Sequence, residues 1–143
     1  YFFEDPIFGR CLRTGDLFFI DPEGFLYFIS RKKRILKVSG RRIGCLELEE
    51  LFGAALTGYA IRELRIVGAP DPLYGEKIIL CISSDESADK IKEVVSGAND
   101  IQDRCRRVSG IYLTEKEFPK NANGKIDDQH LMKEAFTHGT ITL

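Results

Sequence analysis

"ELRIVGAPDPLYGEKIILCIS", residues 63–83, decides the fold. Two runs rich in Ile, Val and Leu, 63–69 and 77–83, flank "PDPLYGE", whose Pro, Asp and Gly residues are turn formers. The pair reads as two strands joined by a loop. Cys81 lies inside the second apolar run and reads as a small core residue.

On the N-terminal side, residues 45–56 ("CLELEELFGAAL") place Leu48, Leu51, Phe52, Ala55 and Leu56 at i, i+3, i+4, i+7 and i+8. That spacing predicts an amphipathic helix, weakened somewhat by Gly53. On the C-terminal side, residues 86–95 and 99–108 read as two helices separated by Ser96-Gly97, with Ile101, Cys105 and Val108 sharing one face of the second. Residues 111–114 read as a short strand. Residues 128–136 read as a last helix with Leu131, Met132 and Ala135 as its apolar stripe and Asp127 as its cap. The tail, "THGTITL", reads as frayed. No internal repeat or low-complexity stretch interrupts the pattern. Strands and helices interleave on a small scale, which predicts an α+β domain from about residue 34.

Further upstream, residues 17–29 ("LFFIDPEGFLYFI") read as a hairpin turning at Asp21-Pro22-Glu23-Gly24. Both runs are nearly continuous in apolar residues, which predicts that both faces are covered. The basic cluster Arg31–Arg34 then breaks the pattern, and such a composition shift is a candidate domain boundary. "RKKR" is also the kind of run that binds nucleic acid, but no basic face or aromatic interleaving elsewhere supports that reading.

The 143 residues suffice for one ordinary domain, or for a small domain plus a piece of another. A composition of 43% hydrophobic and 30% charged residues is that of a globular chain. The net charge of -1 gives no global field toward nucleic acid or an anionic membrane. No apolar run approaches the roughly 20 residues of a membrane span, and no signal-peptide pattern is present. The chain starts at Tyr1 and its one Met is Met132, so it is expected to be a piece of a longer protein cut at its N-terminal edge. Cys11, Cys45, Cys81 and Cys105 contain no CxxC pair, and with only His130 and His138 beside them they speak against a zinc site. No other metal site is expected. Free thiols favour a reducing compartment, and the expected location is cytoplasmic.

One loop stands apart. In "FPKNANGKID", residues 118–127, Pro119, Asn121, Asn123 and Gly124 are turn formers, so Lys125 is predicted at a loop tip. On these residues alone the plainer reading is a surface turn with a solvated lysine.

Three stretches taken in order change that weighting: "LRTGDLFFIDPEGFLYFISRKKR", "ILKVSGRRIGCLELEELF" and "FPKNANGKIDD". Together they resemble the adenylate-forming enzymes: acyl- and aryl-CoA synthetases, adenylation domains of non-ribosomal peptide synthetases, and luciferases. The late motifs of that family are TGD before a hairpin, a [GD]R-x-[DK] hinge leading into K-x-x-G-x-x-[IV], then E-[IL]-E, and finally P-x-x-x-x-G-K-[IL]. The departures fall at the hinge. Ser30 stands for the usual Gly or Asp, and Lys33 for the commoner Asp, a choice familiar among acyl-CoA synthetases.

The resemblance implies a small C-terminal α+β domain with short sheets flanked by helices, preceded by a hairpin from a large N-terminal AMP-binding domain. Residues 1–32 would end the large domain, and 33–143 would form the mobile small one. It implies a carboxylic acid activated by ATP to an acyl-adenylate, with release of pyrophosphate, and then transferred to a thiol. CoA is the expected acceptor, a carrier-protein phosphopantetheine the alternative. By the same resemblance Lys125 is the catalytic lysine bridging carboxylate and α-phosphate oxygens. Asp16 holds the two ribose hydroxyls, Arg31 reaches the ribose or phosphate side, and Arg42 lies near the phosphates. Lys33 is the hinge, and Ser39-Gly40 line the pantetheine tunnel. ATP or AMP, CoA and Mg²⁺ are the implied ligands, Mg²⁺ held mainly by the upstream domain. The implied partners are the rest of the protein's own N-terminal domain and the acid, with no nucleic acid and no membrane span. This chain alone is expected to be inactive. A non-catalytic interaction module retaining the fold is the reading from another class, and the joint presence of Lys125, Asp16 and Arg31 argues against it.

Overall fold

The computed structural model describes residues 1–143, apart from the Ser30 side chain, so the hinge departure at that position lies outside the described side chains. The described residues form two compact units, Tyr1–Ile35 and Leu36–Leu143.

The first unit consists of two antiparallel ribbons. β1 (Phe2–Asp5) pairs with β2 (Gly9–Leu12), a hairpin that the sequence reading did not assign. Asp5 Oδ1 closes its turn by accepting the Ile7 and Phe8 amides at 2.9 and 3.0 Å. β3 (Asp16–Ile20) pairs with β4 (Leu26–Arg31). Here the anticipated turn forms. The Asp21 carbonyl accepts the Gly24 amide at 3.0 Å, Asp21 Oδ1 accepts the Phe25 amide at 2.8 Å, and Gly24 supplies φ 90°. The faces of this hairpin, expected to be covered, are open within this chain. Phe18 packs edge-on to Phe28 and Phe19 packs against Tyr27, yet all four remain exposed. A two-stranded ribbon offers only its own cross-strand pairs and cannot enclose a face. A 3-10 turn, Lys32–Arg34, follows.

Beyond it come β5 (Ile35–Val38), β6 (Arg41–Gly44), α1 (Cys45–Ala55), β7 (Ile61–Asp71), β8 (Gly75–Ser84), α2 (Ala88–Asp100), β9 (Val108–Thr114), α3 (Asp128–His138) and β10 (Ile141–Thr142). β8 is the hub of a six-stranded sheet. One of its edges pairs antiparallel with β7, from Ile61↔Ser84 to Asp71↔Gly75. Its other edge meets β5 at Val38↔Gly75 and then runs parallel to β9 from Ile78↔Val108 onward. β6 lies outside β5, and β10 lies antiparallel outside β9.

Because strand side chains alternate, β8 feeds two cores. Ile78, Leu80 and Ile82 pack with Leu48 and Phe52 of α1 and Ile91 and Val95 of α2. Ile79 and Cys81 pack with Val67 and Ala69 of β7, Tyr112 of β9, and Leu131 and Ala135 of α3. The unbroken apolar run of residues 78–82 therefore reflects helices on both faces. A register shift opposite Ile78/Ile79 skips Ser109 and lets Val108 and Ile111 face the same layer.

Three further expectations are settled. The α1 stripe is as read, with Leu48 and Phe52 fully buried and Leu56 nearly so. The two helices read at 86–95 and 99–108 are one helix, α2, running through Ser96-Gly97. Ile91, Val95 and Ala98 keep one buried face across the glycine, and that packing outweighs the roughly 1 kcal/mol glycine cost. The chain then leaves the helix. Ile101 is 82% exposed, and Val108 opens β9 instead of sharing a helical face with it. The reason is Asn99, whose side chain donates to the Val108 carbonyl at 2.8 Å and accepts the Val108 amide at 2.9 Å, drawing the backbone out as a strand. The tail is not frayed. Thr137 and His138 finish α3, and β10 adds to the sheet beside Gly110, where a Cβ would come within 3.1 Å of Thr140 Oγ1. Among the described residues no helix is long and apolar enough to cross a membrane.

Candidate functional site

Lys125 sits at the end of a closed hairpin loop between β9 and α3. Its stems meet through an antiparallel bridge, Lys120↔Ile126, and through the Asp127 amide donating to the Pro119 carbonyl at 2.8 Å. Asn121 organises the tip. Its amide donates to the Lys125 carbonyl at 2.8 Å, its carbonyl accepts the Gly124 amide at 2.9 Å, and its Oδ1 accepts the amides of Asn123 and Lys125 at 2.9 and 3.2 Å. Gly124 takes φ 73°, which turns the chain directly before the lysine. Lys125 itself is exposed. Asp127 caps α3 by accepting the Gln129 and His130 amides, as its position predicts, so the loop passes without slack into a helix.

Ser39 and Gly40 form the two-residue turn between β5 and β6, with φ of 51° and 78°. Two consecutive positive φ values characterise the tight hairpin turn whose twist matches its strands. The Ser39 amide donates to the Tyr74 carbonyl at 2.8 Å, and the Lys37 amide donates to Glu76 Oε2 at 2.6 Å, so the turn is tied to the β7–β8 hairpin. Ser39 lines a cleft of about 430 Å³ whose wall also carries Tyr74, Lys77, Arg104 and Arg107. Arg104 stacks over the Tyr74 ring at 5.8 Å and donates to its hydroxyl at 3.1 Å. Glu76 and Asp100 stand on the same wall, so the cleft carries charges of both signs. The three cations came from segments that sequence reading treated as plain strand and helix, and their basic character was the only available signal.

In the first unit, Asp16 and Arg31 are register partners across β3–β4. Arg31 Nε lies 3.0 Å from Asp16 Oδ1, an ion pair whose geometry leaves that buried oxygen without an aligned hydrogen bond. Asp16 is largely buried and Arg31 is largely exposed. Lys33 is the exposed middle residue of the 3-10 turn. Arg42 is exposed on β6. The fold therefore pairs Asp16 with Arg31, and it gives Ser39-Gly40, Arg42 and Lys125 separate places in the second unit. Among the described residues, no three His, Cys, Asp or Glu side chains converge as metal ligands.

The charges flanking the Lys125 loop were not read from sequence. Glu63 of β7 accepts the Phe118 amide at 2.6 Å and lies 3.5 Å from Lys120 Nζ. Lys120 is held above the usual lysine range by its hydrogen bond to Glu117 and by the fields of Glu117 and Glu63. Arg65 grips Asp128 with two bonds, Nε to Oδ1 at 2.7 Å and a terminal nitrogen to Oδ2 at 3.0 Å. Burial pulls the Arg65 guanidinium down, but the Asp128 bond and the fields of Asp128 and Glu49 prevail and raise it. Sequence distance hid these pairs, since Arg65 and Asp128 lie 63 residues apart.

No protein-family model matches the chain. It is similar to 2-succinylbenzoate--CoA ligase of Lactococcus lactis, 32% identical over 119 residues, covering 83% of this chain and 25% of that protein. It is similar also to long-chain-fatty-acid--CoA ligase of Bacillus subtilis, 33% identical over 123 residues, covering 86% of this chain and 21% of that protein. Among solved structures it superposes on a Mycobacterium tuberculosis fatty acyl CoA synthetase with TM-score 0.62 and 25% identity, over 92% of this chain and 25% of that one. It superposes likewise on the Bacillus subtilis o-succinylbenzoate CoA synthetase in complex with its acyl-adenylate intermediate, with TM-score 0.64 and 25% identity, over 87% and 24%. The chain spans about a quarter of the length of the relatives it matches. These relatives are AMP-forming acid–CoA ligases, and the chain belongs with them to the adenylate-forming superfamily.

Proposed function

We propose that this chain is the C-terminal portion of an ATP-dependent carboxylic acid ligase that forms an acyl-adenylate and passes the acyl group to a thiol, CoA. The observation that carries the proposal is Lys125, an exposed cation on an internally bonded loop, in a chain whose relatives are acid–CoA ligases. Attack of a carboxylate on the α-phosphorus gathers negative charge on the phosphoryl oxygens, and a positioned ammonium stabilises that charge. Lys125 supplies it. Asp16 accepts the two ribose hydroxyls, a carboxylate being able to accept both, and its pairing with Arg31 supports their working side by side. Arg42 serves the phosphates. The Ser39-Gly40 turn, exposed and with Ser39 lining a polar cleft, borders the path of the thiol arm.

Residues 1–32 end the larger domain and 33–143 form the mobile small one, with Lys33 as the pivot between the two half-reactions. An exposed residue in a short turn can absorb a φ/ψ change, which supports that role. The exposed apolar ribbon of Phe18, Phe19, Tyr27 and Phe28 supports the rest of the N-terminal domain as its partner. The relatives are about four times as long as their match to this chain, so on its own it should not turn over.

The test uses the full-length protein, with pyrophosphate exchange measured across fatty, aryl and amino acids while CoA consumption is followed. Lys125→Ala should reduce exchange by about 100- to 1000-fold. Thioester formation from a supplied acyl-adenylate should stay near normal. Near-normal exchange in Lys125→Ala refutes the assignment. Exchange without CoA consumption in the parent protein points instead to carrier-protein loading, and no exchange with any acid points to a non-catalytic module.

A further inference from the structure

We infer that Glu63 and Arg65 are positioning residues that clamp both stems of the Lys125 loop to β7, and so set where the Lys125 ammonium is delivered; this rests on the catalytic reading of Lys125. Glu63 and Arg65 are two apart on one strand, so their side chains project from the same face. Glu63 holds the incoming stem through the Phe118 amide at 2.6 Å, with Lys120 Nζ 3.5 Å away. Arg65 holds the outgoing stem through its two-pronged bond to Asp128, three residues past Lys125. Between the two grips the stems are joined to each other by the Lys120↔Ile126 bridge and the Asp127–Pro119 bond.

The sheet side of the clamp is firm. Both side chains are mostly shielded, with 19% of Glu63 and 24% of Arg65 exposed. Glu49 of α1 accepts the Ile66 amide at 2.8 Å and stands 3.9 Å from Arg65 Nε, which braces the guanidinium from the helix side. β7 is paired with β8 along its whole length. An exposed turn linked to the body only by its chain ends would wander. This one is attached on both sides of the lysine by charge-assisted bonds to β7, a long strand paired to β8. A guanidinium fork fixes direction as well as distance, which a lysine at position 65 could reproduce only in part.

Misplacement of a catalytic group by about 1 Å can cost on the order of 100-fold in rate. In the full-length protein, Glu63→Ala or Arg65→Met should therefore lower the kcat of pyrophosphate exchange by about 10- to 100-fold. The KM values for ATP and acid should change less than about threefold, since binding groups are untouched. Transfer to CoA from a supplied acyl-adenylate should be unchanged. Arg65→Lys should recover part of the loss, and Glu63→Gln, which still accepts the Phe118 amide, should recover most of its own. Neither substitution should add loss in a Lys125→Ala background, because both act through that residue. Amide hydrogen exchange should quicken over residues 119–127 and stay constant in β8 and α2, a readout that needs no turnover. If Lys125→Ala cripples exchange while Glu63→Ala and Arg65→Met match wild type, the clamp is wrong and the catalytic reading stands. If Lys125→Ala leaves exchange intact, both fall. Equal loss of both half-reactions with faster amide exchange throughout the sheet reduces the pair to ordinary structural roles and overturns the inference.

Discussion

Asn99→Ala offers the most direct test of how this fold is held. Asn99 is 7% exposed and Val108 2% exposed, and the one side chain satisfies both backbone groups of the other, at 2.8 and 2.9 Å. Truncation leaves a buried N–H and a buried C=O without partners. Each orphaned group costs about 1–3 kcal/mol, and together they give about 2–6 kcal/mol. Both residues line the polar cleft, so water can replace part of the lost bonding, and the expected loss lies near the lower half of that range, about 3 kcal/mol. That is a large share of an ordinary stability of about 5–15 kcal/mol. Urea unfolding followed by far-UV circular dichroism measures it. Asn99→Asp sharpens the test. Its carboxylate can still accept the Val108 amide but faces the Val108 carbonyl, so ionisation is opposed in the folded state and the folded pKa is raised. Stability is then fully present below the unfolded value, about 4, and is lost as pH rises through the folded one. The variant should be more stable at pH 5 than at pH 7.5 relative to wild type. A loss below about 1 kcal/mol for Asn99→Ala, or no pH dependence for Asn99→Asp, would show that Val108 is satisfied some other way.

Three further outcomes are expected. Asn121→Ala removes the acceptor for the Asn123 and Lys125 amides, worth about 1 kcal/mol, and should slow pyrophosphate exchange about fivefold, while Asn121→Asp, which keeps the acceptor, should stay within about twofold; equal rates in both variants refute the role given to Asn121. In the native protein at pH 8, a thiol reagent should modify the half-buried Cys11 and Cys105 and spare the buried Cys45 and Cys81. Burial pushes the Cys81 thiol up from 9.0 to about 12, so its contribution is fully present below about pH 9 and is lost as pH rises toward 12; Cys81→Ala should flatten that alkaline fall in stability, and an unchanged slope would contradict it.

Much of the fold was legible because local rules and burial agreed. Residues 17–29 carried their turn chemistry in Asp21 and Gly24, residues 45–56 carried an unbroken 3.6-residue stripe, and Asp127 announced a helix start. The sequence by itself also determined that residues 118–127 are a turn-rich loop presenting Lys125, since Pro119, Asn121 and Gly124 leave the backbone few other conformations. The tertiary structure alone decided the rest. Ser96-Gly97 looked like a break, yet Ile91, Val95 and Ala98 bury one continuous face, and packing outweighed propensity. Residues 99–108 looked helical until Asn99 reached Val108, and the tail looked loose until β9 offered it an edge. The clamp on the Lys125 loop is invisible in the chain for the same reason: Glu63 and Arg65 meet Phe118 and Asp128 only because β7 passes beneath both stems, and contacts between residues 55 and 63 positions apart leave no local pattern to read.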